Sequence, residues 1–166
     1  MTRLMRDSTN LRDIPIHGTD LVAGYVNGAF AASKEDFARF HGIPHVHIDV
    51  LGTDPQDAGV LDFESGNPRG PDGCAIWAKQ RRAAFPGHYP PVICCVRSHL
   101  TALFNAMNAA GLEVVKDFRL WITTLDGTKT VADMTGVTAV QFAGETMTGG
   151  HYNESIVHDD EWHRTP

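Results

Sequence analysis

The chain has 166 residues, of which 42% are hydrophobic and 20% are charged, and its formal net charge is −6. This length and composition are typical of one globular domain and exclude a disordered segment. The negative charge and the lack of a Lys/Arg cluster argue against a nucleic-acid partner, and no apolar run approaches the roughly 18–20 residues that span a bilayer.

The amino terminus predicts no secretion signal, because Met1 to Asp7 carries charge and no apolar segment follows it. We therefore expect a protein that is made in the cytoplasm, does not insert into a membrane and acts elsewhere only after release. Three cysteines, two of them adjacent at Cys94 and Cys95, offer neither a disulfide framework nor metal-ligand spacing. On a strand these two neighbours face opposite sides, and both are predicted to be small core residues.

Eight short apolar segments are predicted to be strands. In chain order they are Leu4–Ser8, Leu21–Val26, His45–Leu51, Gly59–Glu64, Pro91–Val96, Phe118–Thr123, Gly136–Phe142 and Tyr152–Val157. The turn residues Ser65-Gly66-Asn67-Pro68 are predicted to end the fourth strand.

Three helices are predicted between these strands. Ser33-Lys34-Glu35-Asp36 has the spacing of a capping box, which indicates the start of the first helix. Ser98 is predicted to cap the third helix, which ends near Gly111. The second helix covers Cys74–Phe85, and its buried face is predicted to consist of Ile76, Trp77, Gln80 and Ala84.

Strands that alternate with helices or long connections indicate a parallel sheet. Eight such strands predict a TIM-like (β/α) barrel, although 166 residues are too few for eight full βα units. We therefore expect a single α/β domain over residues 1–166, a modified barrel with some helices missing. An open doubly wound sheet is the structural alternative.

Carboxylates are predicted to gather at one end of this barrel. Asp62 and Glu64 end the fourth strand, and period-two alternation places both on one face. Asp7 ends the first strand and Asp49 lies near the end of the third. Because functional residues of parallel barrels lie at the C-terminal ends of strands, we expect all four on one rim. Like charges so close cannot all ionise cheaply, so at least one pKa should be raised, as a general acid requires.

This pattern favours glycoside hydrolysis, in which one carboxyl group is held protonated and another is ionised. Tyr25, Trp121 and Gln141 lie at or near the ends of three more strands, where aromatic faces suit sugar rings. The alternative is structural: solvated acids at a strand end, and aromatic residues packed in the core. No G-x-S-x-G elbow and no glycine-rich phosphate loop is present, which disfavours serine and nucleotide chemistry.

A second constellation is His45, His47 and Asp49, which share one face of the third strand. Imidazole and carboxylate suit zinc, so a metal-dependent hydrolase is an alternative. However, residues two apart on a strand are separated by roughly 7 Å, and one strand rarely supplies three ligands. We expect packed histidines, no metal and no cofactor.

The chain resembles the family-25 glycoside hydrolases, which are lysozyme-like muramidases, and especially their short relatives from actinobacteria and phages. The likeness covers most of the chain. It lies in the early strand ending in Asp7 and in Val22–Val26, Ile48-Asp49-Val50, Leu61-Asp62-Phe63-Glu64, Leu120-Trp121 and Val140-Gln141-Phe142. The resemblance implies a modified β/α barrel that cleaves the β-1,4 bond after N-acetylmuramic acid in bacterial cell-wall glycan, for example as a phage lysin.

The resemblance also implies roles for individual residues. Glu64 would protonate the leaving oxygen, and Asp62 would stabilise the developing positive charge or position the acetamido group of the substrate. Asp7 and Asp49 would be supporting acids. The residues lining the sugar site would be Tyr25, Trp121 and Gln141.

Two departures from the family pattern leave an alternative open. The family often has Trp-Gln-Tyr where this chain has Val140-Gln141-Phe142. It usually has an Asp in the last strand, where Tyr152-Asn153-Glu154-Ser155 here has an amide and a shifted acid. The alternative is a catalytically inactive glycan-binding or virion structural domain of the same fold.

Overall fold

The computed structural model describes residues 2–64, 69–131, 135–159 and 161–162. In these ranges the strands are β1 (Arg3–Asp7), β2 (Leu21–Tyr25), β3 (His45–Asp49), β4 (Val60–Phe63), β5 (Val92–Val96), β6 (Arg119–Thr123), β7 (Val137–Ala143) and β8 (Asn153–Val157). They form one closed barrel in sequence order. The predicted strands and barrel are therefore confirmed, whereas the turn predicted at 65–68 lies outside the described residues.

The direction of the last strand differs from the prediction. Each neighbouring pair from β1 to β7 is parallel, but β8 runs antiparallel to both β7 and β1. The connection over residues 144–152 is the shortest between neighbouring strands of the barrel, and it turns the chain back at the same rim, as antiparallel pairing allows. The start of β8 therefore lies at the rim that the other strands reach with their C-terminal ends.

Helices cover only part of the barrel. The α-helices in the described residues are α1 (Lys34–Ala38), α2 (Gly70–Ala84), α3 (Leu100–Ala109) and α4 (Glu145–Thr148). The predicted capping box before α1 is present. Because α1 and α4 are each little more than one turn, the expectation of missing helices is confirmed. No helix in these ranges is long and apolar enough to span a membrane.

Three details of the helix predictions are wrong: the start of the second helix, its buried face and the cap of the third helix. The second helix begins at Gly70, before the predicted start, and Ile76 is 53% exposed. Arg81 instead points inward and donates to two backbone carbonyls of the β3–β4 connection. Ser98 makes no cap and lies in a 3-10 turn before α3, whose N-cap is His99. The buried face of α2 includes Cys74, Trp77, Ala78 and Arg81.

Apolar side chains pack in two main layers, one inside the barrel and one beneath the helices. The inner layer includes Met5, Val60 and Trp121. The outer layer, which includes Leu61 and Phe63, contacts α2 and α3. Successive residues of β4 therefore alternate between the two layers, which turns Asp62 into the barrel.

Candidate active site

Three carboxylates face one small recess at the rim of the barrel. Its lining residues are Asp7, Tyr25, Ile48, Asp62, Glu64, Cys94, Trp121, Gln141 and Asn153. The recess has a volume of about 30 Å³, which suits a water molecule or a single functional group rather than a sugar ring. A glycan bound here would therefore lie across the mouth, with only the reacting atoms near the carboxylates.

Asp62 and Glu64 lie on the same side, as alternation predicts, and hydrogen bonds fix both. The backbone N–H of Glu64 donates to Asp62 Oδ1 at 3.0 Å. The hydroxyl of Thr123, at the end of β6, donates to Glu64 Oε1 at 2.7 Å and lies 3.5 Å from Gln141 Oε1. Thr123 on β6, which lies beside Gln141 on β7, and the backbone N–H of Glu64 thus hold the carboxylate pair in place.

Asp7 is held from the opposite side by Asn153. The two residues are paired across β1 and β8, and Asn153 Nδ2 donates to Asp7 Oδ2 at 2.8 Å. The other carboxylate oxygen, Asp7 Oδ1, is buried and has no hydrogen-bond partner among the described residues. Because a buried polar atom without a partner is costly, this oxygen is suited to a proton or to a donor on a ligand.

Burial and mutual repulsion raise the pKa values of two of these acids. Burial, reinforced by the nearby Glu64, raises the pKa of Asp62 to about 7. Burial also raises the pKa of Asp7 to about 6, although the hydrogen bond from Asn153 opposes the rise. The hydroxyl of Tyr25 has a raised pKa from burial and from the neighbouring acids. The expected rise in at least one carboxyl pKa is therefore found at Asp62 and Asp7, with burial rather than crowding as its main cause.

The raised pKa of Asp62 predicts that Asp62→Asn stabilises the fold at alkaline pH. Between the ordinary pKa of 3.8 and the folded value of about 7, the folded state binds more protons than the unfolded state. The free energy of unfolding therefore falls as pH rises through this window. Asparagine keeps the acceptor for the Glu64 N–H without the buried charge, so we expect a gain of roughly 2–4 kcal/mol at pH 8.

Denaturant unfolding of Asp62→Asn and the parent at pH 4 and pH 8 measures this effect, with the exposed Asp13→Asn as the matched control. The gain should appear at pH 8 and be small at pH 4, where Asp62 is protonated in the folded state and only about half ionised in the unfolded state. Equal gains at both pH values would mean that the carboxyl group is not destabilised by burial.

Asp49 does not join the other three carboxylates. Ile48 faces the recess, so Asp49 faces the helix side, where it is fully buried. Its Oδ1 accepts from Asn27 Nδ2 at 2.7 Å and from the backbone of Gly52 at 2.6 Å. Its Oδ2 accepts from Trp77 Nε1 at 2.8 Å and from the Asp54 backbone at 2.7 Å. The expectation of four carboxylates on one rim is thus corrected to three, because Asp49 fastens the β3–β4 connection to α2.

The two histidines of β3 also face away from the recess. The rings of His45 and His47 pack against Phe37, with centroid separations of 5.2 and 4.8 Å. His47 Nδ1 lies 3.1 Å from the carbonyl oxygen of Asp57. In the part of the chain that the structure describes, no group of three His, Cys, Asp or Glu side chains is arranged to hold a metal ion. These contacts are those expected of packed histidines.

The residues predicted to line the sugar site all border the recess, at different depths. Tyr25 is half-buried and Gln141 is buried. Trp121 is 1% exposed, donates its Nε1–H to Ser155 Oγ at 3.1 Å and packs edge-on against Trp162. Its ring forms the floor of the recess and offers no face on which a sugar can stack.

Three residues in the recess or in contact with its acids were not predicted to belong to the site. Thr123 shares a strand face with Trp121, so alternation could have identified it. Asn153 was noted only as a departure from the family pattern, because the rule about C-terminal strand ends does not identify the start of an antiparallel strand such as β8. Cys94 was predicted to be a core residue, and no sequence signal shows which side of β5 faces the acids.

Comparison with protein-family models and with curated proteins gives no match. Solved structures do match over nearly the whole chain. A family 25 glycosyl hydrolase from Bacillus anthracis aligns over 96% of this chain and 90% of its own, with 10% identity and a TM-score of 0.62. A muramidase from Acremonium alcalophilum aligns over 96% and 94%, with 14% identity and a TM-score of 0.56.

A lysozyme from Streptomyces coelicolor aligns over 95% of this chain and 92% of its own, with 14% identity and a TM-score of 0.56. At such low identities the likeness establishes the fold. The resemblance seen in the sequence is therefore confirmed at the level of architecture: the chain has the modified β/α barrel found in family 25 glycosyl hydrolases.

Proposed function

We propose, from this fold and its acidic recess, that the protein is a peptidoglycan-directed glycoside hydrolase that cleaves β-1,4 bonds by carboxylate acid catalysis. The observation that carries the proposal is the meeting of Asp7, Asp62 and Glu64 at one rim recess. With the pKa of Asp62 raised to about 7, the group retains a proton near neutrality, as acid catalysis of glycoside cleavage requires. The solved neighbours named as a muramidase and a lysozyme support this substrate class.

The proposed roles follow from the positions of the three acids. Glu64, fixed by the Thr123 hydroxyl, protonates the leaving oxygen. Asp62 stabilises the oxocarbenium-like charge or positions the acetamido group of the substrate. Near neutrality the proton of this carboxyl pair resides on Asp62, because burial and the neighbouring Glu64 raise its pKa. Asp7 supports them with negative charge and with its unpartnered oxygen.

The proposal extends to the biological setting. We propose a single catalytic barrel domain over residues 1–166 that acts on bacterial cell-wall glycan after release, as a phage lysin does, or as part of a virion. The sequence resemblance to short phage and actinobacterial relatives supports this setting. The net charge of −6 supports a partner other than nucleic acid.

Digestion of purified peptidoglycan tests the proposal. New reducing ends should appear in proportion to enzyme and time, and kcat/KM should fall as pH rises through about 7, because Asp62 then loses its proton. A profile that rises steadily through neutrality, or no release at all, would contradict acid catalysis by this pair.

The second candidate is a catalytically inactive glycan-binding or virion structural domain. The observation that favours it is the amide of Asn153, which contacts Asp7 where the resembling family usually has an acid. Purified protein that sediments with cell walls while releasing no reducing ends would support this second function over the first.

A further inference from the structure

Leu125 has an unusual backbone conformation for a branched residue. Its φ is 55°, and in the described residues the only other non-glycine with positive φ is Val115, at 76°. This left-handed region disfavours side chains with a Cβ, and such strain persists where the surroundings impose it. The Leu125 side chain is 46% exposed, so core packing does not explain why a leucine rather than a glycine stands there.

The position of Leu125 connects it to the recess. It follows β6 just beyond Thr123, and its backbone N–H donates to the carbonyl of Gln141 at 3.2 Å. A Cβ placed on Gly144 would lie 3.5 Å from Leu125 Cδ2 and 3.7 Å from Asn153 Oδ1. The isobutyl group and the Asn153 amide therefore both lie next to Gly144, which places Leu125 on the Asn153 side of the rim, just outside the residues that line the recess.

A second exposed apolar side chain adjoins the same loop. A Cβ on Gly127 would lie 3.7 Å from Met147 Cε, and Met147 is 52% exposed. The mouth of a recess lined by carboxylates thus has one apolar edge. The other strained residue, Val115, precedes β6 and so lies at the opposite end of the barrel.

We propose that Leu125 is a specificity-determining residue whose isobutyl group contacts the acetamido methyl of an N-acetylated sugar bound across the mouth. This inference rests on the proposed function, since it assumes that a glycan binds there. Carboxylates and amides recognise hydroxyl groups, which all sugars offer, whereas an apolar edge favours sugars that carry a methyl. The strained backbone holds this side chain at the mouth, away from the core.

The test compares Leu125→Gly with Val115→Gly, a matched change at the far end of the barrel. Glycine tolerates positive φ, so both changes should raise Tm by roughly 2–4 °C. Only Leu125→Gly should weaken binding of a tetrasaccharide of alternating N-acetylglucosamine and N-acetylmuramic acid, with Kd raised about tenfold. Calorimetry in the Glu64→Gln background avoids turnover, and the de-N-acetylated tetrasaccharide measures the preference for the acetyl groups.

The expected result is a preference for the acetylated ligand that Leu125→Gly removes and Val115→Gly keeps. Unchanged affinity and preference in Leu125→Gly would overturn the inference, as would absence of binding by the parent. Selective binding by a wild-type protein that cleaves no peptidoglycan would instead overturn the hydrolase and leave the role of Leu125 standing.

Discussion

Glu64→Gln is expected to abolish peptidoglycan cleavage while the barrel stays folded. Glutamine has the same shape and still offers an oxygen to the Thr123 hydroxyl, but it has no carboxyl proton to give to a leaving group. General acid catalysis contributes about 10²–10⁴-fold to a rate, so reducing-end release per molecule should fall by roughly 10³-fold. The thermal midpoint should remain close to that of the parent.

A matched control separates this effect from a general loss of acidic charge. Glu113 is a highly exposed acid paired with Lys116, before β6 and thus at the far end of the barrel. Glu113→Gln should keep both the rate and the midpoint of the parent. Equal cleavage by Glu64→Gln and Glu113→Gln would show that Glu64 is not the catalytic acid.

Asp49→Ala is expected to destabilise the fold more than any other single change considered. The substitution removes the acceptor for four N–H donors, among them the indole of Trp77 and the side chain of Asn27. Buried donors without partners cost about 1–3 kcal/mol each, with partial relief from relaxation and water. We therefore expect a loss on the order of 3–5 kcal/mol, measured as a lower denaturant midpoint.

This prediction also separates a structural from a catalytic role for Asp49, which the family resemblance would make a supporting acid. Asp49→Asn keeps one acceptor oxygen, so part of the protein should remain folded and the rate per folded molecule should be nearly normal. Ala at the exposed Asp13 should change stability by less than about 0.5 kcal/mol. A stably folded Asp49→Asn protein with a greatly reduced cleavage rate would show that Asp49 takes part in catalysis.

The case of Asp49 shows what a sequence pattern can decide about a strand. Alternation correctly separated Ile48 from Asp49 and grouped Asp62 with Glu64. It could not decide which group faces the barrel, because this barrel has apolar layers on both sides. On β3 the apolar face points inward, whereas on β4 Leu61 points outward to the helices. Proximity to a strand end was therefore insufficient to place Asp49 at the rim.

The other prediction errors concern contacts between residues that are far apart in the sequence. The strands were located well because each is a short apolar run between turn signals. The reversed direction of β8 goes with one short connection. The contact between Asn153 and Asp7 depends in turn on that direction. The helix face of α2 was misjudged because Arg81 satisfies two backbone carbonyls from a buried position, which hydrophobic periodicity does not reveal.

Mass analysis of the fragments released from purified peptidoglycan is the most direct test of the central claim. After borohydride reduction, cleavage of the β-1,4 bond that follows N-acetylmuramic acid should leave reduced N-acetylmuramic acid at each new end. Wild-type protein should produce these fragments and Glu64→Gln should not. Fragments ending in reduced N-acetylglucosamine, or peptidoglycan left intact by the wild-type protein, would contradict a muramidase.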